Sequence, residues 1–154
     1  MKPGTFTQLY IQIVFAVDFR KALLTKEIRP QVFSYIGGII NDLGLKTIIV
    51  NGVSDHVHAF IGLNPKISIS DTIHDIKRSS SLFINDNQLS KFHFNWQAGY
   101  GAFSYSKSHI DNVFKYIQNQ EQHHKNEKFK TEYLKFLKKF EVEYNEKYLF
   151  EFVD

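Results

Sequence analysis

The chain has 154 residues, 43% hydrophobic and 23% charged, a length that suits a single domain (1–154) with a sizeable core. Its net charge of +3 permits a nucleic-acid partner without requiring one, and the lack of cysteine excludes disulfides and thiolate metal sites. No signal peptide and no apolar run of roughly 18 residues is present, so a cytoplasmic protein with no membrane contact is expected.

"LYIQIVFAVDF" (9–19) is rich in Ile, Val and Phe and reads as a central strand. Thr25 is the expected cap of a helix from about 26 to 43, with Pro30 tolerated near its first turn and Gly44 as its stop. "LKTIIVNGV" (45–53) makes a second strand. A turn at Ser54-Asp55 leads to a third strand, which Asn64-Pro65 ends. A second helix is expected over 69–85, then a fourth strand within "FHFNWQAGYGAFSYS". The pattern turns helical over about 108–124. A last amphipathic helix spans about 128–144, with Phe129, Tyr133, Phe136, Leu137 and Phe140 at helical spacing. The order β-α-β-β-α-β predicts an α+β, ferredoxin-like or RRM-like antiparallel sheet with helices on one face, plus C-terminal helices. The other face is expected to be open, a natural place for a site. The same plan serves RNA-recognition modules, so fold alone does not name a function.

Within the third strand, "SDHVHAFIGL", His56 and His58 are separated by one residue. Strand side chains alternate, so the two imidazoles share a face about 6.6 Å apart along the chain, close enough to lean onto one metal ion. Val57, Ala59 and Ile61 point the other way, toward a core. On the helix "SHIDNVFKYIQNQEQHHKN", Tyr116 and Gln120 lie one turn apart, about 40° from each other on the wheel, beside a stripe of Val113, Phe114 and Ile117. Taken alone this is an amphipathic helix with an interfacial tyrosine. Taken with the histidines it has a chemical reading. A phenol of pKa near 10 is only about one part in a thousand ionised at pH 7, so as a nucleophile it gains from a nearby ion that polarises the electrophile. Two imidazoles and an amide oxygen form a mixed N/O set suited to Mg²⁺ or Mn²⁺.

These segments together resemble the single-tyrosine HUH transposases of small bacterial insertion sequences, the IS-two-hundred type. "DHVHAFI" resembles the HUH motif, with Val57 as its bulky hydrophobic residue. "WQAGYGAFSYS" resembles the stretch before the catalytic helix, and "YIQNQEQHH" that helix itself. "IVFAVDFRK" and "IKRSSS" (76–81) match weaker patterns, and Gln12 stands where many relatives have histidine. The resemblance implies Tyr116 as the nucleophile and His56, His58 and Gln120 as metal ligands. It implies cleavage and rejoining of single-stranded DNA at hairpin-bearing insertion-sequence ends, through a 5′-phosphotyrosine link and a free 3′-OH. It also implies a homodimer in which one subunit's tyrosine helix completes the other's site.

Lys77 and Arg78 are candidates for DNA phosphates or for a solvated helix face. Asp55 reads either as a turn residue or as an orienting partner of an imidazole. His123 and His124 are expected to be solvated helix-end histidines, Trp96 and Tyr100 to be packing groups, and the Lys-rich last helix to turn a wet face outward. The alternatives to a transposase are a non-catalytic or domesticated single-stranded nucleic-acid-binding protein on the same fold, and a metal-dependent phosphodiesterase that uses water.

Overall fold

The computed structural model describes residues 3–18 and 23–152; the Phe19–Lys21 part of the "IVFAVDFRK" pattern lies outside them. Strand β1 (Tyr10–Ala16) is followed by helix α1 (Arg29–Asp42), β2 (Lys46–Gly52), β3 (His56–Gly62), α2 (Ile69–Asp86) and β4 (Gly101–Tyr105). A short 3₁₀ turn, Lys107–His109, then leads into α3 (Ile110–Gln118), α4 (Gln120–His123) and α5 (Phe129–Lys139). The sheet runs β2-β3-β1-β4 with every pair antiparallel, the ferredoxin-like order expected from the sequence.

Alternation along the strands separates two cores. Ile11, Ile13 and Phe15 of β1 and Val57, Ala59 and Ile61 of β3 face α1 and α2, joined by Ile36, Ile76 and Phe94. Fully burying one such large apolar side chain stabilises by about 1.5–3 kcal/mol, so this layer carries much of the fold. Trp96 packs edge-on to Phe15 and Phe94 and donates its indole N–H to Ser80 Oγ.

The second face departs from expectation: it is not open. Val14, Ala16, Phe60 and Phe103 point there, and apolar groups in that number must be covered. Helix α3 covers Phe60 with Val113 and Ile117, while α5 covers Val14, Ala16 and Phe103 with Phe129, Tyr133, Phe136 and Leu137. The histidines therefore lie between sheet and helices.

Local chemistry sets most boundaries. Ser68 Oγ accepts from the Asp71 N–H and starts α2. Thr25 does not cap α1 with its side chain. Its carbonyl accepts from the N–H groups of Ile28 and Arg29 in a preceding turn, and the helix starts at Arg29 with Pro30 in its first turn. Gly44, at φ +81°, ends that helix region as expected. The single helix expected over 108–124 is broken at Asn119. The last helix stops at Lys139 rather than 144, because Glu141 takes a left-handed conformation at φ +52°. Gly52 closes the β2–β3 hairpin where a Cβ would come within 2.2 Å of the His56 carbonyl oxygen, so only glycine fits beside the start of β3. No helix among the described residues is long and apolar enough to cross a membrane.

Candidate active site

Four of the residues singled out in the sequence converge within one chain. His56 and His58 project from β3 on the face opposite Val57 and are fully buried. Gln120, also fully buried, opens α4 and sets its Oε1 3.1 Å from Nε2 of His56. Tyr116, half-buried near the end of α3, has its ring centroid 6.2 Å from that of His58, edge to face. The helix holding Tyr116 is fixed to the sheet by Asn51. This residue of β2 pairs with His58 and so shares its face. Its Nδ2 donates to the carbonyl oxygens of Ile117 (2.9 Å) and Gln118 (3.2 Å), two acceptors in the last turn of the helix, where the intrahelical ladder runs out.

A fifth residue, absent from the sequence reading, lies at the centre. Glu132 of α5 is 2% exposed. Its Oε1 is 3.2 Å from Nε2 of His56, 3.2 Å from Nε2 of His58 and 3.1 Å from Nε2 of His124. Its Oε2 accepts from Gln120 Nε2 at 3.0 Å and from the Tyr116 hydroxyl. The helix was expected to turn only a wet face outward. The signal available in the sequence is the wheel position of Glu132, about 40° from Phe136 and about 60° from Phe129, at the edge of the apolar stripe rather than opposite it.

His123 and His124 are not solvated helix-end residues either. Helix α5 folds back across α4, so His124 Nδ1 donates to the Glu127 carbonyl oxygen at 2.6 Å while His123 Nε2 lies 3.0 Å from Glu127 Oε1 and 3.4 Å from the Tyr116 hydroxyl. Asp55 takes the orienting role of its two alternatives: its Oδ1 is 2.8 Å from Nδ1 of His56, whose ring stacks on Phe129 at 3.8 Å.

Lys77 and Arg78 are elsewhere, on α2 and on the opposite face of the sheet. Arg78 is exposed, whereas the Lys77 ammonium donates to the carbonyls of Gln97 (2.8 Å) and Gly99 (2.6 Å) and burial lowers its pKa. Tyr100 is exposed.

The electrostatics follow from burial among opposite charges. Burial alone would keep His56 neutral, but Asp55 and Glu132 outweigh it and raise its pKa to about 9. His58, buried without a carboxylate on its Nδ1 side, is pushed down. Burial opposes ionisation of Glu132, yet the surrounding imidazoles hold it well below the usual carboxylate range. Burial and then the Glu132 charge push the Tyr116 phenol far above its ordinary value, so its proton stays on until something positive or a base takes over. The ligand atoms of His56, His58 and Glu132 lie within 4.8 Å of one another, as do those of His123, His124 and Glu132. A mixed imidazole and oxygen set of this spacing can hold a divalent ion. A cavity of about 420 Å³ between α3 and α5, lined by Gln12, Asn112, Tyr116, Glu132, Lys135 and Lys139 among others, opens beside the tyrosine.

Comparison with known proteins places the chain in a family. The family model described as "Transposase IS200 like" matches residues 5–120. The chain belongs to the IS200-like transposase family. The ISDra2 transposase TnpA of Deinococcus radiodurans is 25% identical over 122 residues, spanning 76% of this chain and 87% of that protein. Two solved structures share the fold. A Deinococcus radiodurans protein assigned as a transposase superposes with a TM-score of 0.60 at 20% identity, over 78% of this chain and 96% of its own. A REP-associated tyrosine transposase bound to a REP hairpin superposes with a TM-score of 0.57 at 15% identity, over 80% of this chain and 74% of its own.

Proposed function

We propose that this transposase cleaves and rejoins single-stranded DNA at insertion-sequence ends, with Tyr116 as nucleophile and a divalent ion, Mg²⁺ or Mn²⁺, at His56, His58 and Gln120. The observation that carries the reading is the convergence of a tyrosine hydroxyl, two imidazoles and an amide oxygen from separate elements in one cluster around Glu132. Simple binding has no use for that set, which counts against a non-catalytic relative on the same fold.

When bound, the ion supplies a Lewis acid for the scissile phosphate oxygens. The chain's residues do the rest. Asp55 fixes the His56 ring so that Nε2 faces inward. Asn51 holds the end of α3, and with it Tyr116, against the strand that carries the histidines. The Tyr116 oxygen attacks phosphorus, its proton passing toward the Glu132 carboxylate that already accepts it. The bond to the 3′-oxygen breaks and that oxygen takes up the proton released by Tyr116, relayed from Glu132 or through solvent, giving a 5′-phosphotyrosine link and a 3′-OH. Because the covalent link conserves the phosphodiester energy, a 3′-OH rejoins the strand by the reverse step without a nucleotide cofactor.

A structural relative is bound to a REP hairpin, which supports hairpin-ended DNA as the partner here. Arg78, exposed on α2, is available to a phosphate at a distance from the chemistry. The resemblance implies a homodimer with sites completed across subunits, while the nearness of Tyr116 to its own chain's histidines supports completion within one chain. Mixing His58→Ala with Tyr116→Phe protein in a verified heterodimer distinguishes them: recovered cleavage means crossed sites, and none means intrachain sites.

A second reading has one observation in its favour. The buried Glu132 is positioned to activate water, as a metal-dependent phosphodiesterase would need. Incubation of the protein with Mn²⁺ and a hairpin-ended single strand, followed by a denaturing gel, separates the two. A protein–DNA adduct is expected; cleavage without adduct at any time point would favour water.

A further inference from the structure

We propose that Glu132 is itself a ligand of the divalent ion, its Oε1 joining His56, His58 and Gln120, so that the metal fastens α5 to the sheet. The inference rests on the metal-dependent reading above and adds to it a residue from outside the motifs.

A buried carboxylate is costly unless it is well compensated, and the neighbours of Glu132 on the inner face of α5 are Phe129, Tyr133 and Phe136. Its compensation is incomplete when hydrogen atoms are counted. Nδ1 of His56 faces a carboxylate oxygen of Asp55, and Nδ1 of His124 faces the Glu127 carbonyl; both oxygens only accept, so both Nδ1 atoms carry N–H. In neutral rings this leaves Nε2 of each as a bare lone pair. Those two lone pairs point at Glu132 Oε1, at 3.2 and 3.1 Å, and His56 Nε2 also faces Gln120 Oε1 at 3.1 Å. Four acceptors thus form a run of three contacts at hydrogen-bond distance, His124 to Glu132, Glu132 to His56 and His56 to Gln120. Such a group repels itself unless positive charge stands among them, either as extra protons on the rings or as a cation.

Three features favour the cation. His58 Nε2 meets the same oxygen at 3.2 Å, so three ring nitrogens converge on Glu132 Oε1 instead of each taking a separate partner. An octahedral ion with bonds of about 2.1 Å has neighbouring donors about 3.0 Å apart, close to the separations seen. A carboxylate also offsets part of the charge of a dication that two imidazoles and an amide leave unbalanced, and it moves the set toward hard ions such as Mn²⁺. The remaining oxygen, Oε2, stays on the Tyr116 hydroxyl and the Gln120 amide. One side chain would then link the ion to the nucleophile.

The test is Mn²⁺ binding, read by the electron paramagnetic resonance signal of the free ion, on wild-type, His58→Ala and Glu132→Gln proteins shown to be folded by circular dichroism. Glu132→Gln should weaken binding by roughly tenfold or more, in the range that loss of a supporting partner alone can reach. Hydrogen exchange on the unaltered protein gives a second reading that no folding defect can confuse: added Mn²⁺ should slow exchange of the amides of residues 129–139 as well as those of β3. Protection of β3 without α5, or wild-type affinity in folded Glu132→Gln, would overturn the ligand role while leaving the histidine site intact. Wild-type protein that binds no Mn²⁺ at all would overturn both.

Discussion

Gln120 and His56 are 64 positions apart, yet the amide oxygen of one lies 3.1 Å from the Nε2 of the other, with both side chains fully buried. The amide has a second attachment, its Nε2 donating to Glu132 Oε2 at 3.0 Å, so Gln120 joins the strand histidines to α5. Gln120→Ala removes both contacts and leaves the carboxylate short of a donor. A loss of about 1–3 kcal/mol in stability is expected from the unsatisfied buried group, read as a lower urea midpoint. Mn²⁺ affinity and the rate of adduct formation should fall together. Unchanged affinity with a lost adduct would make Gln120 an aligner of Tyr116 rather than a ligand.

Asn51 touches neither the reacting groups nor the proposed ion, yet its amide binds the carbonyls of the two residues that follow Tyr116 at the end of α3. Asn51→Ala should cost about 1–2 kcal/mol, the usual worth of one or two side-chain hydrogen bonds to helix-end carbonyls. Adduct formation should slow several-fold with Mn²⁺ affinity preserved, because only the nucleophile's placement is loosened. A variant with wild-type rate and wild-type urea midpoint would show that α3 is held by Val113 and Ile117 alone.

The histidine pair was legible in the sequence because strand alternation assigns faces by parity, and an apolar Val57 between two polar residues fixes which face is which. Tyr116 and Gln120 were legible for the analogous helical reason, although the break at Asn119 was not, since Asn119-Gln120 carries no proline or glycine to announce it. Glu132 was not read because its role depends on where α5 docks, a tertiary fact. One carboxylate among lysines in "FKTEYLKFLKK" satisfies an amphipathic pattern whether it faces water or imidazoles. The covered second face was missed for a related reason. Val14, Ala16 and Phe103 require a cover, but only the chain's return after α3 shows that its own C-terminal helices supply it.

Tyr133, beside Glu132 on α5, gives a prediction about alkaline pH. Burial pushes its phenol up to about 12, whereas an unfolded tyrosine ionises near 10. The folded value is the higher one, so the unfolded chain loses its proton first. The contribution to stability is fully present below about pH 10 and is lost as pH rises through about 12. The urea midpoint of the wild type should therefore fall relative to that of Tyr133→Phe protein between about pH 9 and pH 12. Parallel decline of the two would mean that the Tyr133 hydroxyl is solvated in the native protein.

Tyr116→Phe tests the chemistry most directly. The ring packs against Phe136, with centroids 5.9 Å apart, and against His58, and phenylalanine keeps both contacts. Glu132 Oε2 loses one donor but retains the Gln120 amide, so folding should be weakened by no more than about 1–2 kcal/mol. DNA binding should be unchanged, and the covalent adduct should vanish because no oxygen remains to attack. The helix of Tyr116 carries no carboxylate facing it, but α5 does, and the missing hydroxyl leaves about the space of a water next to Glu132. Slow cleavage without adduct is therefore the expected residue of activity, and adding Glu132→Gln should remove it by taking away the base. An adduct that persists in Tyr116→Phe and maps to another tyrosine would displace the active site from α3. Adduct-free cleavage at the wild-type rate would instead make water the natural nucleophile and Glu132 its base.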